Sequence, residues 1–347
     1  MKPLLSKMLI LLASLGLLST AMSVEARSIP KSKKAIVAKT VQKKPATSLR
    51  LRAVGSARVV KGGKKAAAKA TVATPVARQV RHRPVAPVSM DEARDLVVES
   101  ASALVIDQSS GAVLYEKNAA AQVPIASITK LMTAMVALDA KPGLTETLSV
   151  GEDDVDVVKG TRSRLQVGTR LSREEMLRLA LMASENRAAS TLSRPYPGGR
   201  SAFVAAMNRK ATELGLTDTH FKDPTGLNPA NVSSARDLTR LVAAAHGYPL
   251  IRQFSTTPDY EVNIAGRPRA FHNTNSLVKS DGWEISLSKT GYINEAGKCL
   301  VMQAWLNNKP MIIVLLDSWG RLTRIGDANR IKRWIESASL PQRRGVG

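Results

Sequence analysis

The sequence of 347 residues predicts an α+β fold, in which about five mainly antiparallel strands form one sheet and most of the intervening chain is helical. Two observations lead to this prediction. Residues with the two-residue alternation of strands occur near the beginning and near the end of the folded region, and residues with helical spacing lie between them. We therefore expect a sheet assembled from residues 95–125 and 285–340, with a helical insertion at about 127–250.

The first two strands are predicted by apolar runs on either side of a polar turn. Residues 103–107 (ALVID) and 112–115 (AVLY) flank the turn sequence QSSG, a pattern typical of an antiparallel hairpin. Near the other end, three strand-like runs are separated by the turn-forming sequences NEAG and NNK. These runs are residues 285–290, 299–305 and 310–316.

Helices are predicted by capping residues and by apolar spacing. Ser172 and Glu175 fit a capping box, in which each side chain accepts a hydrogen bond from the other residue's backbone N–H. The run at 131–138 is apolar all round, which predicts a central, buried helix. Further helices are expected at 202–214, 235–245 and 327–337.

The residues ahead of this domain predict export. Lys2 and Lys7 precede an apolar run at 8–18 and then small residues, which is the pattern of a secretory signal peptide at 1–26. The apolar run of 11 residues is much shorter than the ~20 residues that cross a bilayer as a helix. We therefore expect a periplasmic protein with a cleaved signal peptide rather than a permanent membrane anchor.

A basic segment follows at residues 27–90. It contains 17 Lys or Arg residues, no Asp or Glu and no aromatic residue, so it carries most of the chain's formal net charge of +23. Such a composition cannot bury enough surface to offset the entropy cost of ordering, which predicts a disordered tether. Its charge suits an anionic membrane surface or an acidic cell-wall polymer, and a solvated spacer without a partner is an equal alternative. Export makes a specific nucleic acid partner unexpected.

The remaining residues, 91–347, are sufficient for one large domain and contain a single cysteine. No internal disulfide can form, so a large core must supply the stability. Cys299 lies in an apolar run and is predicted to be a buried, inert thiol. The four histidines have no paired ligand spacing, and we expect neither a metal nor a cofactor.

The first candidate catalytic motif is the tetrad Ser127-x-x-Lys130. A helix beginning here would place the Lys130 amine beside the Ser127 hydroxyl, because residues three apart on a helix are neighbours. Burial disfavours a charged ammonium and makes the neutral amine available as a base. The same spacing recurs in the tether and in turn or strand sequence, where it lacks this helical setting. Those rival pairs are Ser28/Lys31, Ser276/Lys279 and Ser286/Lys289.

Two further motifs follow along the chain. Ser184-x-Asn186 comes directly after a predicted helix, and we expect a loop that presents both side chains to a cleft, where Ser184 could relay a proton. Lys289-Thr290-Gly291 ends an alternating strand, and the missing side chain of Gly291 leaves room for an extended peptide at the sheet edge. Each motif alone is common in ordinary proteins. The three in this order indicate a serine acyl-transfer site.

Together the motifs resemble the penicillin-binding and serine β-lactamase superfamily. Four longer runs are similar, more narrowly, to the D-alanyl-D-alanine endopeptidases of the penicillin-binding protein 7 type. These runs are MASENRAA at 182–189, YPGG at 196–199, DPTGL at 223–227 and HNTN at 272–275. The resemblance covers about residues 95–340. It implies the β-lactamase/DD-peptidase-like fold, with helices on both faces of the sheet and a mostly helical subdomain.

The resemblance implies a catalytic role for three side chains. Ser127 would be the acylated nucleophile, Lys130 its general base and Ser184 a proton shuttle. The backbone N–H groups of Ser127 and Tyr292 would form an oxyanion hole, which stabilises acyl transfer by ~3 kcal/mol per donor.

The resemblance also implies how substrate is held. Asn186 would contact a substrate amide, Lys289 would act electrostatically, and Thr290 would hold the substrate's carboxylate beside Gly291. Peptidoglycan stem peptides are then the expected substrates, and β-lactams the expected covalent inhibitors. These residues alone leave open whether the enzyme cuts cross-links as an endopeptidase or trims terminal D-alanine as a carboxypeptidase, and the family resemblance favours the endopeptidase.

Two other functions compete with this hypothesis. Class A β-lactamases use a glutamate in a Glu-x-x-Leu-Asn run, but the chain has Pro224 in that position, and the nearest acid, Asp223, is one residue away. This predicts that penicillin acylates Ser127 and is released slowly. The non-enzymatic alternative is a wall-binding scaffold with a degenerate cleft, against which the intact set of three motifs argues. The sequence also lacks the Gly-x-Ser-x-Gly motif of Ser-His-Asp hydrolases.

Overall fold

The structure is a computed structural model that describes residues 96–320 and 322–338. The predicted signal peptide and basic tether lie outside these residues, so both remain predictions. Among the described residues the strands are β1 (Ser102–Asp107), β2 (Val113–Lys117), β3 (Val123–Pro124), β4 (Thr147–Ser149), β5 (Arg170–Ser172), β6 (Val232–Ser233), β7 (Asp259–Ile264), β8 (Arg267–His272), β9 (Glu284–Ile293), β10 (Gly297–Leu306) and β11 (Lys309–Ser318). The α-helices are α1 (Lys130–Asp139), α2 (Arg173–Met182), α3 (Asn186–Ser193), α4 (Gly199–Glu213), α5 (Ala235–His246), α6 (Pro249–Ser255) and α7 (Thr323–Ala338).

Five strands form one antiparallel sheet in the order β2-β1-β11-β10-β9. This confirms the predicted fold class, with a sheet drawn from both ends of the domain. The long strands at its centre are apolar at nearly every position because both faces are covered. Along β11, Ile312 and Val314 belong to the core formed with α1 to α6, whereas Ile313 and Leu315 pack with α7. Strand β9 lies at one edge of the sheet, beside β10.

Two predicted helical features are present. Helix α1 is central, with eight of its ten residues buried, including Lys130. The capping box at the start of α2 is formed, because Ser172 Oγ accepts a hydrogen bond from the Glu175 backbone N–H at 3.2 Å and Glu175 Oε2 accepts one from the Ser172 backbone N–H at 2.7 Å. No helix in the described part of the chain has the length and apolarity to cross a membrane.

The region between the sheet strands is less purely helical than predicted. It contains the two-stranded pairs β3–β6 and β4–β5 and the hairpin β7–β8. The hairpin turns at Ala265 and Gly266, whose φ angles are +52° and +77°. Asparagine, aspartate and glycine are the usual residues in such a turn, and alanine is not. The strands themselves are mostly exposed and polar. The sequence therefore offers neither the usual turn residues nor an alternation of apolar residues from which this hairpin could be predicted.

Candidate active site

Ser127 lies in a short 3-10 turn, Ala126–Thr129, that leads directly into α1. The turn packs against the edge strand β9 at Gly291. A Cβ atom on Gly291 would lie 2.8 Å from the Ile125 carbonyl oxygen and 3.2 Å from the Ser127 nitrogen. The expectation that Gly291 mainly leaves room for a ligand therefore needs correction. The space is occupied by the chain that precedes Ser127, and the glycine permits that close approach.

A second glycine holds the same peptide bond from another side. Gly226 has a φ of +83°, and a Cβ there would lie 2.0 Å from the Ala126 carbonyl oxygen and 2.9 Å from the Ser127 nitrogen. Ala126 itself has a φ of +46°, a left-handed conformation that is uncommon for residues other than glycine. The Ala126–Ser127 peptide is thus fixed between Gly226 and Gly291, which sets the position of the Ser127 side chain.

The Lys130 amine is buried and lies within hydrogen-bond distance of three oxygen atoms. Lys130 is only 1% exposed to solvent. The Nζ atom lies 2.8 Å from Ser127 Oγ, 2.7 Å from Asn186 Oδ1 and 2.7 Å from the Thr225 carbonyl oxygen. The Ser127 turn, the start of α3 and the loop at Thr225 therefore meet at one nitrogen.

These partners determine how a neutral Lys130 would be oriented. Burial lowers the pKa of Lys130 to about 7, although the carboxylates of Asp223 and Glu185 act in the opposite direction. A neutral amine has two N–H donors and one lone pair. An amide oxygen and a backbone carbonyl can only accept hydrogen bonds, so they take both donors. The lone pair is left facing the Ser127 hydroxyl, which is the arrangement that a general base requires.

Ser184 lies at a short junction between α2 and α3, with a φ of +59°. Its Oγ accepts a hydrogen bond from Lys289 Nζ at 2.9 Å, and the same amine donates to the Thr290 carbonyl oxygen at 2.8 Å. Burial, together with the positive charges of Lys130 and Arg324, holds the pKa of Lys289 well below its usual value. Burial is the largest cause, and the nearby charge of Lys130 further disfavours the charged form of Lys289.

The surroundings of two predicted motifs differ from the expectation. The predicted loop at Ser184 is only a short connection between α2 and α3, because Asn186 is already the first residue of α3. The amide of Asn186 is engaged at both ends, since its Oδ1 accepts from Lys130 and its Nδ2 donates to Thr161 Oγ1 at 3.1 Å. Lys289-Thr290-Gly291 lies within β9 rather than at its end, because the strand continues to Ile293.

The Thr290 hydroxyl donates to Thr274 Oγ1 at 2.6 Å. Tyr292 follows Gly291 on the edge strand, and its side chain is more than half exposed. Arg324 donates to the carbonyl oxygens of Gly291 and of Cys299, its partner on β10, at 3.2 and 3.3 Å. The backbone of β9 around Gly291 is therefore held between the Ser127 turn and the Arg324 guanidinium.

Sequence reasoning missed several residues that complete this site. Each of three threonines makes a hydrogen bond with a residue of the three motifs: Thr225, Thr161 and Thr274. In the sequence, Thr225 and Thr274 were indicated only by the resemblance of the DPTGL and HNTN runs to the family, and nothing indicated Thr161. The Asp223 carboxylate also orders the loop at residues 223–231, because it accepts five hydrogen bonds from that loop. Its donors are the Thr225 N–H and hydroxyl, the Gly226 N–H, the Asn228 N–H and the Asn231 side-chain amide.

In the described rival Ser/Lys pairs, the side chains bond to residues outside the pair. Lys279 Nζ bonds to Asp259 Oδ1 at 2.6 Å, and Ser286 Oγ lies 3.0 Å from His246 Nε2. Ser28 and Lys31 lie outside the described residues. Cys299 is fully buried, and burial raises the pKa of its thiol to about 11, as expected of an inert cysteine.

Comparison with known proteins gives a consistent result. The D-alanyl-D-alanine carboxypeptidase family matches residues 88–319. A D-alanyl-D-alanine endopeptidase of Pseudomonas aeruginosa is 51% identical over 243 residues, which cover 70% of this chain and 78% of the relative. One of Escherichia coli is 47% identical over 245 residues, with coverages of 70% and 79%. A solved Streptomyces DD-transpeptidase is 28% identical and superposes with a TM-score of 0.65, over 70% of this chain and 98% of that one.

Proposed function

The chain belongs to the D-alanyl-D-alanine carboxypeptidase family, and from this premise we propose that it is a serine endopeptidase that cuts peptidoglycan cross-links through an acyl-enzyme at Ser127. The observation that carries the proposal is the buried Lys130 amine, 2.8 Å from Ser127 Oγ. The names of the most similar relatives favour cross-links as the substrate. Trimming of terminal D-alanine, as the family's description implies, is the second candidate.

Acylation begins when Ser127 Oγ attacks the carbonyl carbon of the D-alanine residue in the scissile bond. Lys130 accepts the hydroxyl proton with its lone pair, while its two N–H groups stay on Asn186 and Thr225. The substrate carbonyl oxygen becomes an oxyanion. We assign its stabilisation to the backbone N–H groups of Ser127 and Tyr292, each of which contributes ~3 kcal/mol in comparable sites.

The leaving group departs as the C–N bond breaks and its nitrogen gains a proton. We assign this transfer to Ser184, which gives its hydroxyl proton to the leaving nitrogen and takes one from the Lys130 ammonium. Lys289 donates to Ser184 Oγ, which turns the Ser184 O–H away from Lys289 and leaves it available for transfer. Both lysines therefore end this half-reaction with the charge they had at its start.

Deacylation repeats the chemistry with water as the nucleophile. Lys130 accepts a proton from water, whose oxygen attacks the ester carbon. The bond to Ser127 Oγ breaks, and Oγ regains its proton from Lys130. The products are a stem peptide that ends in a free D-alanine carboxylate and the separated partner stem.

Substrate binding is assigned to the edge strand. The leaving residue's carboxylate would replace Thr274 as the acceptor of the Thr290 hydroxyl proton, with Lys289 nearby. The unpaired edge of β9 suits an extended peptide backbone, which is a common mode of peptide recognition. Penicillin, whose carboxylate follows its reactive amide in the same way, would bind as a substrate mimic.

Gly226→Ala is expected to slow acylation of Ser127 by a fluorescent penicillin by about 100-fold, because a displacement of ~1 Å in a catalytic group can cost that much. The new Cβ would collide with the Ala126 carbonyl oxygen. Gly168→Ala is the matched control, since Gly168 has a φ of +84° with nothing within 4 Å of its Cβ position. If the two variants lost acylation equally, left-handed backbone strain rather than close packing would be responsible.

We also propose that the protein is exported to the periplasm and that its signal at 1–26 is cleaved. The apolar run at 8–18 and a substrate in the cell wall support this. The basic segment at 27–90 would then hold the enzyme to an anionic membrane surface or an acidic wall polymer, a proposal supported by its 17 basic residues alone.

Digestion of purified muropeptides by the isolated protein, followed by mass analysis, tests the proposed function. An endopeptidase converts cross-linked dimers into monomers without shortening the monomers. A carboxypeptidase instead removes one D-alanine from pentapeptide monomers and leaves dimers intact. Ser127→Ala protein should do neither, and a scaffold would bind muropeptides without changing their mass.

A further inference from the structure

A cavity of about 370 Å3 with a partly polar lining adjoins the catalytic residues, and of its walls the mechanism above uses only Thr274. Its walls include the residues on either side of Ser184, the arginines Arg162 and Arg164, and Thr274. Phe271 and His272 also line it. We refer to this cavity as the leaving-side pocket.

We propose that the leaving-side pocket binds the stem peptide that departs from the cross-link, and that Arg162 binds a carboxylate of that peptide. The inference rests on the proposed function and deepens it, because it specifies a branched, anionic peptide as the leaving group. A free D-alanine, the leaving group of a carboxypeptidase, would extend no further than Thr274 at the edge of this pocket.

The position of the pocket along the cleft identifies the half of the substrate that it faces. Thr274 lines the pocket and accepts a hydrogen bond from Thr290, the residue assigned to the leaving residue's carboxylate. The oxyanion donor Tyr292 lies two residues further along β9, roughly 6.6 Å away at the usual rise of a strand. A substrate that places its carbonyl at Tyr292 and its carboxylate at Thr290 must therefore extend toward the pocket on its leaving side.

Among the described residues that line this pocket, Arg162 is the cation without a hydrogen-bond or ion-pair partner. Its neighbours in sequence are both tied to the Ser184 junction, since Thr161 accepts from Asn186 at 3.1 Å and Ser163 donates to Glu185 at 2.6 Å. The backbone of Arg162 is therefore fixed beside the catalytic residues. Within residues 96–320 and 322–338 its exposed guanidinium has no hydrogen bond or ion pair.

The second arginine of the pocket is already engaged. Arg164 donates to the Ala270 carbonyl oxygen and lies over the Phe271 ring at 5.0 Å. Glu185 accepts from Ser163 and so holds the loop rather than a ligand. Among the described lining residues, an incoming carboxylate thus has one available bidentate partner, Arg162, and arginine is well suited to that role.

The volume of the pocket agrees with an occupant larger than one amino acid. Cavities of ~300–1,000 Å3 enclose ligands of several hundred daltons. A stem peptide beyond the scissile bond is of this size and carries free carboxylates in addition to the one assigned to Thr290. The charge and the volume of the pocket therefore both match the leaving half of a cross-linked dimer.

The test compares Arg162→Gln with Arg170→Gln, an exposed arginine on β5 outside the pocket. Each protein is assayed for cleavage of a purified muropeptide dimer and, separately, for acylation of Ser127 by benzylpenicillin, which has no leaving-side extension. Arg162→Gln is expected to lower kcat/KM for the dimer by about 10- to 100-fold, the usual effect of losing a charge-assisted hydrogen bond. Its penicillin acylation should stay within about twofold of wild type, and Arg170→Gln should match wild type in both assays.

Three results would overturn the inference. Equal dimer cleavage by wild type and Arg162→Gln would show that the guanidinium holds no substrate. Equal loss of dimer cleavage and of penicillin acylation would show that Arg162 supports the catalytic residues instead. Wild-type protein that reacts with penicillin but leaves dimers intact would reject the proposed endopeptidase function as well, so the two failures are distinguishable.

Discussion

Replacing Lys130 by methionine is expected to slow acylation of Ser127 by about 1,000-fold, the usual contribution of a general base. Methionine has a similar length but no lone pair that can accept the Ser127 proton. Nothing else described at the site is placed to replace it, since Lys289 Nζ is directed to Ser184 and the Thr290 carbonyl oxygen. The rate is measured as labelling of the protein by a fluorescent penicillin.

The control for this variant is Lys222→Met, which changes an exposed lysine on the loop that contains Asp223. It should acylate at the wild-type rate. Near-ultraviolet circular dichroism must show that Lys130→Met keeps its tertiary structure, because the substitution leaves Asn186 Oδ1 and the Thr225 carbonyl without their donor. A folded Lys130→Met protein that is labelled within about tenfold of the wild-type rate would remove Lys130 from the role of base.

The second large effect concerns the acyl-enzyme that penicillin forms. We expect its hydrolysis to be slower than hydrolysis of the peptide acyl-enzyme by a factor of about 100 to 10,000, the contribution of a general base to such a step. In a peptide substrate the leaving amine diffuses away and water can enter. In a β-lactam adduct the amine remains part of the bound molecule, so water cannot approach from the side of Lys130.

A separate base for water is also missing from the DPTGL run. The nearest acid is Asp223, and its carboxylate already accepts five hydrogen bonds from its own loop. A carboxylate offers about four lone-pair positions, so none is left to activate water. Class A β-lactamases use a glutamate three residues before a Leu-Asn pair for this step, whereas the residue at that spacing here is Pro224.

Mass spectrometry after brief exposure to benzylpenicillin gives the lifetime of the adduct. The wild-type protein should keep the added mass long after free penicillin is removed, and Ser127→Ala should never gain it. Rapid, repeated turnover of a chromogenic cephalosporin with no persistent adduct would contradict this prediction and favour the β-lactamase alternative.

The sequence predicted the parts of this site that follow from helical geometry. Ser127 and Lys130 are neighbours because the 3-10 turn continues into a buried helix, and the apolar run at 131–138 indicated that burial. The three motifs meet around the two lysine amines, as their combination indicated. The five-stranded sheet was predictable for a related reason, since apolar strands that are covered on both faces leave a clear pattern.

The features of the site that the sequence did not predict depend on backbone atoms and on tertiary contacts. The carbonyl oxygen of Thr225 is a partner of Lys130, but every residue has a carbonyl, so no side-chain pattern can indicate it. The sequence predicts that Gly291 makes room for a ligand, because it does not show that the chain before Ser127 passes beside this glycine. Helix α3 begins at Asn186 without a side-chain cap, so it lacked the usual signal for a helix start.

The pH dependence of Ser127 acylation tests the central claim most directly, namely that Lys130 acts as a neutral base. Burial lowers the pKa of Lys130 to about 7, and the amine is active only after it has lost its proton. The rate of penicillin labelling should therefore rise about tenfold per pH unit below this value and level off above it. A rate that does not change between about pH 5.5 and 8, or that rises only toward the ordinary lysine pKa of ~10.4, would contradict the account.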